Sequence, residues 1–198
     1  MKLQLPQVTL IAVTGLYYDV EGHKKAIEKS CEGIDFGVVK VIMDSKVNDV
    51  DDHNKFIVYD LWKYIDTEFV FLCHADGFII NPELWNPKWL EYDYCGSPWP
   101  LPTDDYSYRT PEGKLIRVGN SVGLRSHRLM EAPTKYGFEW KSYYENTNED
   151  GFFCVHNRKR LESLGMKFMP FEESLTFGKE HELLENKGMK TFCFHQAT

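Results

Sequence analysis

An imidazole, a carboxylate and a glycine separate two apolar runs in the stretch Phe69–Pro82, FVFLCHADGFIINP. Phe69–Cys73 has the composition of a buried strand, and His74-Ala75-Asp76-Gly77 follows it directly. A carboxylate at such a strand end can bind Mg²⁺ or Mn²⁺, which accept oxygen ligands and bridge diphosphates. An Asp-Gly pair after a strand is also typical of a simple turn. Asp76 is therefore a candidate metal ligand, with a turn as the alternative.

Glu149 and Asp150 are a second pair of groups that could do chemistry. They open the segment Asn148–Leu164, which has a helical pattern and is closed by Gly165. Carboxylates in the first turn of a helix ordinarily cap it and interact with its dipole. A carboxylate can also act as a general base that removes a proton from a hydroxyl group. The residues alone leave both interpretations open.

Alternating strand and helix patterns must position these groups in the first third of the chain. Three strands are predicted, at Val8–Val13, Val38–Met43 and Phe69–Cys73. Two helices are predicted between them, at Gly22–Cys31 and over residues 53–66, with Asp52 as the N-cap of the second. The β-α-β-α-β order predicts an α/β fold with a doubly wound, mostly parallel sheet and helices on both faces.

Polar residues follow each predicted strand: Thr14, Asp44 and His74-Ala75-Asp76. In a parallel sheet the carboxyl ends of the strands share one edge, and ligands bind outside that edge. The three polar sites are therefore expected to converge there.

The second part of the chain has a different composition. Residues 85–115 are rich in Trp, Tyr, Pro and Asp, and Val118–Leu124 is a Gly-rich strand candidate. Lys167–Pro170 and Thr191–Phe194 are short predicted strands. With no linker or repeat, residues 1–198 are expected to form a single domain with two unequal halves, at about 1–84 and 85–198.

Composition excludes several classes of protein. The formal net charge of −7 argues against nucleic acid as a partner. The five cysteines lack close spacing and indicate reduced thiols. The apolar run near the N-terminus is too short for a signal peptide, and no run is long enough to cross a membrane. We expect a cytoplasmic protein that meets a membrane, if at all, through its substrate.

Five segments, in order, resemble a known family. They are DLWKYIDTEFVFLCHADGFIINPELW, WLEYDYCGSPWP, VGNSVGLRSHRLME, NEDGFFCVHNRKRLESLGMKFMP and FCFHQ. Together they are similar to a small group of bacterial and viral sequences classed as nucleotide-sugar glycosyltransferases of the GT-A fold. In that group the metal-binding Asp-x-Asp motif takes an x-Asp-Gly form. The resemblance extends from about Val8 to His195.

The resemblance implies a GT-A (Rossmann-like) domain whose first half binds the nucleotide and whose second half binds the acceptor. It implies Mn²⁺ or Mg²⁺ as cofactor, with Asp76 and His195 as ligands and His74 in place of the first acid. Asp150 is the implied general base, with Glu149 as the competing choice. The implied nucleotide contacts are Thr14, Asp44, Asn54, Lys55, Phe56, Ala75 and Asp76. The implied sugar and acceptor contacts are Gly96, Ser97, Pro98, Trp99, Gly119, Asn120 and Ser121.

The implied activity is a metal-dependent, inverting transfer of a sugar from a nucleoside-diphosphate donor, with UDP-sugar as the default. The acceptor would be a glycan or a lipid-linked saccharide. One alternative is a sugar-phosphate nucleotidyltransferase, but VTGLYYDVEG stands where such enzymes carry a GxGTRxxP-type loop. A non-catalytic carbohydrate- or nucleotide-binding module is the other alternative, because His74 replaces the first acid of the motif.

Overall fold

A five-stranded sheet forms the centre of the computed structural model, which describes residues 2–15, 19–141 and 148–196. Its strands are β1 (Leu3–Thr14), β2 (Ile34–Met43), β3 (Phe69–Cys73), β4 (Tyr94–Pro98) and β5 (Val118–Ser126). The order across the sheet is β2-β1-β3-β5-β4. Two short strands, β6 (Gly178–Lys179) and β7 (Cys193–Phe194), form a separate parallel pair.

The sheet is mixed. β1 pairs in parallel with β2, where Leu10 lies opposite Val39, and with β3, where Leu10 lies opposite Phe71. β5 is antiparallel to both β3 and β4. The predicted parallel arrangement therefore holds for the first three strands and is wrong at β5. The reason is the connection: residues 99–117 contain no helix, and antiparallel neighbours need no helical crossover.

Helices cover both faces of the sheet. They are α1 (Val20–Cys31), α2 (Val50–Tyr59), α3 (His127–Lys135), α4 (Glu149–Gly151), α5 (Arg158–Ser163) and α6 (Phe171–Phe177). Apolar side chains of α2, α3 and α5 pack on the face that carries Ile11 and Leu72. Those of α1 and α6 pack on the face that carries Leu10 and Phe71. Each fully buried Leu, Ile or Phe side chain stabilises the fold by about 1.5–3 kcal/mol. β1 and β3 carry several such side chains and therefore contribute strongly to the stability of the fold.

Several element boundaries differ from the sequence predictions. α2 begins earlier than expected, because the Asp49 carboxylate, not that of Asp52, accepts the capping hydrogen bond, from the Asp52 N–H. A short π-helix, Phe152–His156, interrupts the helix predicted over residues 148–164. There the Asn157 N–H donates to the Phe152 carbonyl.

The two short strands predicted in the second half are reduced or lost. Phe168 forms only an isolated bridge to Tyr94, and the predicted strand Thr191–Phe194 shrinks to β7. β4, α3 and α6 were not predicted at all. Pro133 lies inside α3, and a proline in that position normally argues against a helix.

None of the helices among the described residues is long and apolar enough to span a membrane. All five cysteines are free thiols, as predicted, and four of them are buried.

Candidate functional site

A tight turn places the first candidate residues past the end of β3. The His74 N–H donates to the Gly77 carbonyl at 2.8 Å, and the Gly77 N–H donates back to His74 at 3.1 Å. A Cβ added at Gly77 would lie 2.9 Å from Cδ2 of His195. Glycine at this position therefore lets His195 approach the turn.

His195 reaches the turn because β7 carries it there. The His195 N–H donates to the Lys179 carbonyl at 2.8 Å, and the Gln196 N–H donates to the Asp76 carbonyl at 3.1 Å. Phe192 and Cys193 are fully buried just before it. The segment around His195 is thus held in the fold by apolar contacts and hydrogen bonds.

The three predicted metal ligands form a cluster, which we call the cation cluster: His74, Asp76 and His195. Their ligand atoms all lie within 4.8 Å of one another, and His195 Nε2 is 3.5 Å from Asp76 Oδ1. The Asp76 side chain is 44% exposed, so the cluster is open to an incoming ion. His74 Nε2 is buried and has no hydrogen-bond partner among the described residues. Two imidazoles and a carboxylate fit a divalent transition-metal ion better than Mg²⁺, which prefers oxygen ligands.

Two further histidines lie close to His74 of the cation cluster. The ring centroids of His53 and His23 lie 5.4 Å and 6.5 Å from that of His74. Burial lowers the pKa of His53, and it holds the pKa of His74 well below its ordinary value. His74 is therefore neutral at physiological pH, the form in which imidazole binds metals. No pattern in the sequence indicates that His23, His53 and His74 lie together, because they lie in α1, in α2 and after β3.

Glu149 is buried in an ion pair. Arg125 Nη2 donates to Glu149 Oε1 at 3.0 Å, and to the carbonyls of Asn120 and Ser121 at 3.2 and 3.1 Å. Burial alone would raise the pKa of Glu149, but the charge and hydrogen bond of Arg125 lower it below its ordinary value. Glu149 is consequently ionised, and Arg125 binds its carboxylate.

Asp150 has the opposite surroundings. Burial, followed by the charges of Glu149 and Glu180, raises the pKa of Asp150 to about 7. The residue lines a cavity of about 290 Å³ beside Glu180. A carboxylate with a pKa near neutrality, facing a cavity, is suited to accept a proton from a bound molecule.

Aromatic side chains form a wall of this cavity. The Trp99 and Tyr108 rings stack with centroids 4.8 Å apart and planes 24° from parallel. The other lining residues are Tyr106, Ser107, Arg109, Asn148, Gly151, Val155, His156 and His181. Flat aromatic faces beside polar groups suit a sugar ring, which has apolar C–H faces and hydroxyl edges.

Residues 38–195 match the model of a family described as a protein of unknown function, DUF5672. The match covers most of the chain. The protein belongs to the DUF5672 family. No curated protein matches the chain. The description of the family names no activity.

Most of the predicted sugar-binding residues of this DUF5672 chain do not line the cavity. Gly96, Ser97 and Pro98 are buried in β4. A Cβ at Gly119 would lie 1.9 Å from the Trp99 ring, so this glycine makes room for Trp99. Trp99 itself lines the cavity.

Asn120 and Ser121 also contact the protein. Asn120 is fully buried and binds His195 through its side chain, and a hydrogen bond from Ser121 helps to lower the pKa of Glu149. The structure thus gives Asn120 contacts within the protein where the sequence predicted contacts with an acceptor.

The predicted nucleotide-binding residues divide into two groups. Ala75 and Asp76 lie in the turn after β3, and Thr14 is buried at the end of β1. Asp44 follows β2, where its carboxylate accepts from the Lys46 N–H at 2.8 Å. These four residues come from three neighbouring strand ends, as the β-α alternation predicted.

The three predicted nucleotide contacts on α2 have other partners. Asn54 Oδ1 accepts from the Glu149 N–H at 3.2 Å, which links α2 to α4. Lys55 is exposed and pairs with Asp51, and Phe56 is buried in the hydrophobic core. We therefore leave Lys55 and Phe56 out of the candidate site, because a core side chain and an outward ion pair are poorly placed to hold a ligand.

Proposed function

We propose that this DUF5672 protein is a metal-dependent glycosyltransferase of the GT-A type. It would move a sugar from a nucleoside-diphosphate donor to a hydroxyl group of a saccharide. One observation carries the proposal: a cation cluster and a carboxylate of near-neutral pKa both lie close to the same side chain, that of Glu180. Glu180 Oε1 lies 3.8 Å from His195 Nδ1, and Glu180 lines the cavity beside Asp150.

The cation cluster is suited to the donor side of such a reaction. His74, Asp76 and His195 would hold a divalent ion, which supplies positive charge to a departing diphosphate when bound. The position of the cluster, past the end of β3, supports the proposal, because α/β sheets bind ligands at this edge.

Asp150 is suited to the acceptor side. Its carboxylate would take the proton of the hydroxyl group as that oxygen attacks the anomeric carbon and the bond from this carbon to the nucleoside diphosphate breaks. Attack from the face opposite the departing diphosphate inverts the configuration of the anomeric carbon. Tyr108 would pack on the acceptor ring, with Trp99 stacked against it. Glu149, which is ionised and bound to Arg125, holds the start of the helix in place and is not the base. The rate should therefore fall as the pH drops below about 7.

A thermal-shift panel tests the donor site. Nucleoside diphosphates and nucleotide sugars would be added with and without Mn²⁺. At a ligand concentration about a hundredfold above Kd, the protein gains about 2.7 kcal/mol, or roughly 5–10 °C in Tm. Asp76→Asn should abolish the metal-dependent shift. Asp35→Asn is the matched control, because Asp35 is 52% exposed and lies near the start of β2. A wild-type protein that responds to no nucleotide would contradict the proposal.

Donor hydrolysis separates an enzyme from a binding module. Many transferases slowly pass their donor to water, so Mn²⁺-dependent release of nucleoside diphosphate should accompany nucleotide binding and disappear in Asp76→Asn. The replacement of the first acid by His74 favours the binding module as the second candidate function. Nucleotide binding without any release of product would support that candidate instead.

A further inference from the structure

Asn120 has an unusual backbone conformation in the middle of β5. Its φ angle is +104°, a value that residues other than glycine rarely adopt, and the residue is fully buried. Strained conformations of this kind persist where the surrounding contacts fix them, and they are frequent at functional sites. This backbone directs the Asn120 side chain towards His195.

The orientation of the Asn120 amide is fixed by its neighbour. The Val122 backbone N–H donates to Asn120 Oδ1 at 2.9 Å. A backbone N–H can only donate, so the oxygen of the amide, and not its NH₂ group, must face Val122.

The same oxygen faces the His195 ring. Asn120 Oδ1 lies 2.9 Å from His195 Nδ1. Because an amide oxygen can only accept, Nδ1 must carry a proton and donate it. In a neutral imidazole the second nitrogen, Nε2, then holds a lone pair. That nitrogen lies 3.5 Å from the Asp76 carboxylate, so two electron-pair donors face each other across the cation cluster.

We propose that Asn120 is a positioning residue that holds His195 in the Nδ1–H tautomer and so presents Nε2 to a divalent cation. This inference rests on the proposed function because it assumes that the cation cluster binds a divalent cation. It assigns to Asn120 a task different from acceptor binding. Partners behind a metal-binding imidazole commonly fix its tautomer and ring orientation.

Asn120 also joins the two halves of the site. Its carbonyl accepts from Tyr94 Oη at 2.6 Å and from Arg125 Nη2 at 3.2 Å. Arg125 in turn binds Glu149, next to Asp150. Asn120 thus contacts the cation cluster through its side chain. Through its backbone carbonyl it contacts Arg125, which binds Glu149 next to the proposed base.

Nitrogen-15 NMR of the imidazole rings tests the tautomer directly, in the metal-free protein at about pH 8.5, where imidazole is neutral. We expect the Nδ1–H form for His195 in the wild type, although imidazole in water favours Nε2–H. Asn120→Gly accommodates the positive φ and removes the acceptor, so it should release the ring to the Nε2–H form. Asn120→Asp keeps an acceptor oxygen and should retain Nδ1–H.

Calorimetry with Mn²⁺ alone supplies the second measurement. Loss of such a partner typically weakens metal binding 10–100-fold, so we expect that loss in Asn120→Gly and near-wild-type affinity in Asn120→Asp. Glu180→Gln tests the competing acceptor, whose 3.8 Å distance to Nδ1 is too long for a hydrogen bond. It should leave the tautomer unchanged.

The outcomes separate this inference from the proposed function. Any of three results would overturn the role of Asn120. They are the Nε2–H form of His195 in the wild type, an unchanged His195 tautomer in a folded Asn120→Gly variant, and a changed His195 tautomer in Glu180→Gln. If Asn120→Gly does not fold, loss of Nδ1–H in Asn120→Asp would overturn it too. A wild-type protein that binds Mn²⁺ but no nucleotide would contradict the glycosyltransferase and leave the role of Asn120 standing.

Discussion

Asp150 and Glu149 are adjacent in sequence, and their surroundings give them opposite electrostatics. The positive charge of Arg125 compensates the negative charge of Glu149, whereas Asp150 is buried beside two other carboxylates. Groups whose pKa values are pushed apart in this way are a recurrent feature of acid–base sites. The sequence could place both residues at a helix start, but it left their roles open, because Arg125 lies on a distant strand.

The raised pKa of Asp150 predicts a pH-dependent change in stability. Its pKa rises from 3.8 to about 7 on folding, so the folded state binds the proton more tightly. Stability is therefore lost as the pH rises from about 4 to 7. Asp150→Asn removes this loss and should raise the free energy of unfolding at pH 8 by roughly 4 kcal/mol, or about 8–16 °C in Tm. The variant and the wild type should be similar at pH 4. Melting curves of metal-free protein at both pH values would measure this, and an equal effect at both would contradict it.

The buried Arg125–Glu149 pair predicts strong coupling between its members. Glu149→Gln leaves a buried guanidinium without a counter-charge, and Arg125→Met leaves a buried carboxylate. Each change should cost about 3–5 kcal/mol in the free energy of unfolding. The double variant, which buries no charge, should cost clearly less than the sum of the two. Urea unfolding of the four proteins measures the coupling, and additive costs would show that the pair is not coupled.

The elements predicted best are those whose sequence pattern directly reflects which of their faces are buried. Phe69–Cys73 was predicted with the correct bounds, because a strand buried on both faces is a continuous apolar run. β4 is just as buried, but its sequence, YCGSP, carries a glycine and a proline that indicate a loop. Those residues are there because β4 lies at the edge of the sheet and approaches β5 closely.

Close packing of β4 against β5 predicts the effect of a single methyl group. A Cβ at Gly119 would overlap the Trp99 ring, at 1.9 Å. Gly119→Ala should therefore displace Trp99 from the cavity wall and cost about 1–3 kcal/mol in the free energy of unfolding. Tryptophan fluorescence and thermal unfolding would measure both effects.

Gly137→Ala is the control for that experiment. Gly137 has a φ of +60° and no atom near its missing Cβ, so alanine there meets backbone strain without a clash. It should cost about 1 kcal/mol and leave the fluorescence spectrum unchanged. A Gly119→Ala protein whose fluorescence is also unchanged would show that Trp99 does not depend on this glycine.

At the scale of the molecule, the sequence predicted a sheet with helices on both faces and polar residues gathered past its strand ends. It predicted the cation cluster only through a family resemblance, because His74 and His195 are separated by most of the second half of the chain. The supporting network around Asn120 was not predicted, since hydrogen bonds between distant elements leave no pattern in a single sequence. The antiparallel orientation of β5 was missed, because the prediction extended the β-α alternation of the first third to a part of the chain whose strands are joined without an α-helix.

The distribution of cysteines predicts the thiol reactivity of the whole molecule. Cys73, Cys95, Cys154 and Cys193 are buried, and Cys31 is partly exposed. Burial raises the pKa of each of these five thiols, Cys31 included. A thiol reagent should therefore modify at most one cysteine of the native protein, slowly, and all five after denaturation. Rapid modification of two or more native thiols would contradict the burial described here.

The two-residue length of β7 has a consequence for how a cation would leave. Short strands open locally far more often than a whole domain unfolds, and β7 carries His195 into the cation cluster. A bound ion would therefore be released when this strand detaches, at a rate set by local opening and not by the strength of the three ligands alone. The ion would in turn hold the strand closed. Amide hydrogen exchange at His195 and Gln196 would slow as the ion binds, so these two amides would report occupancy of the site without any substrate.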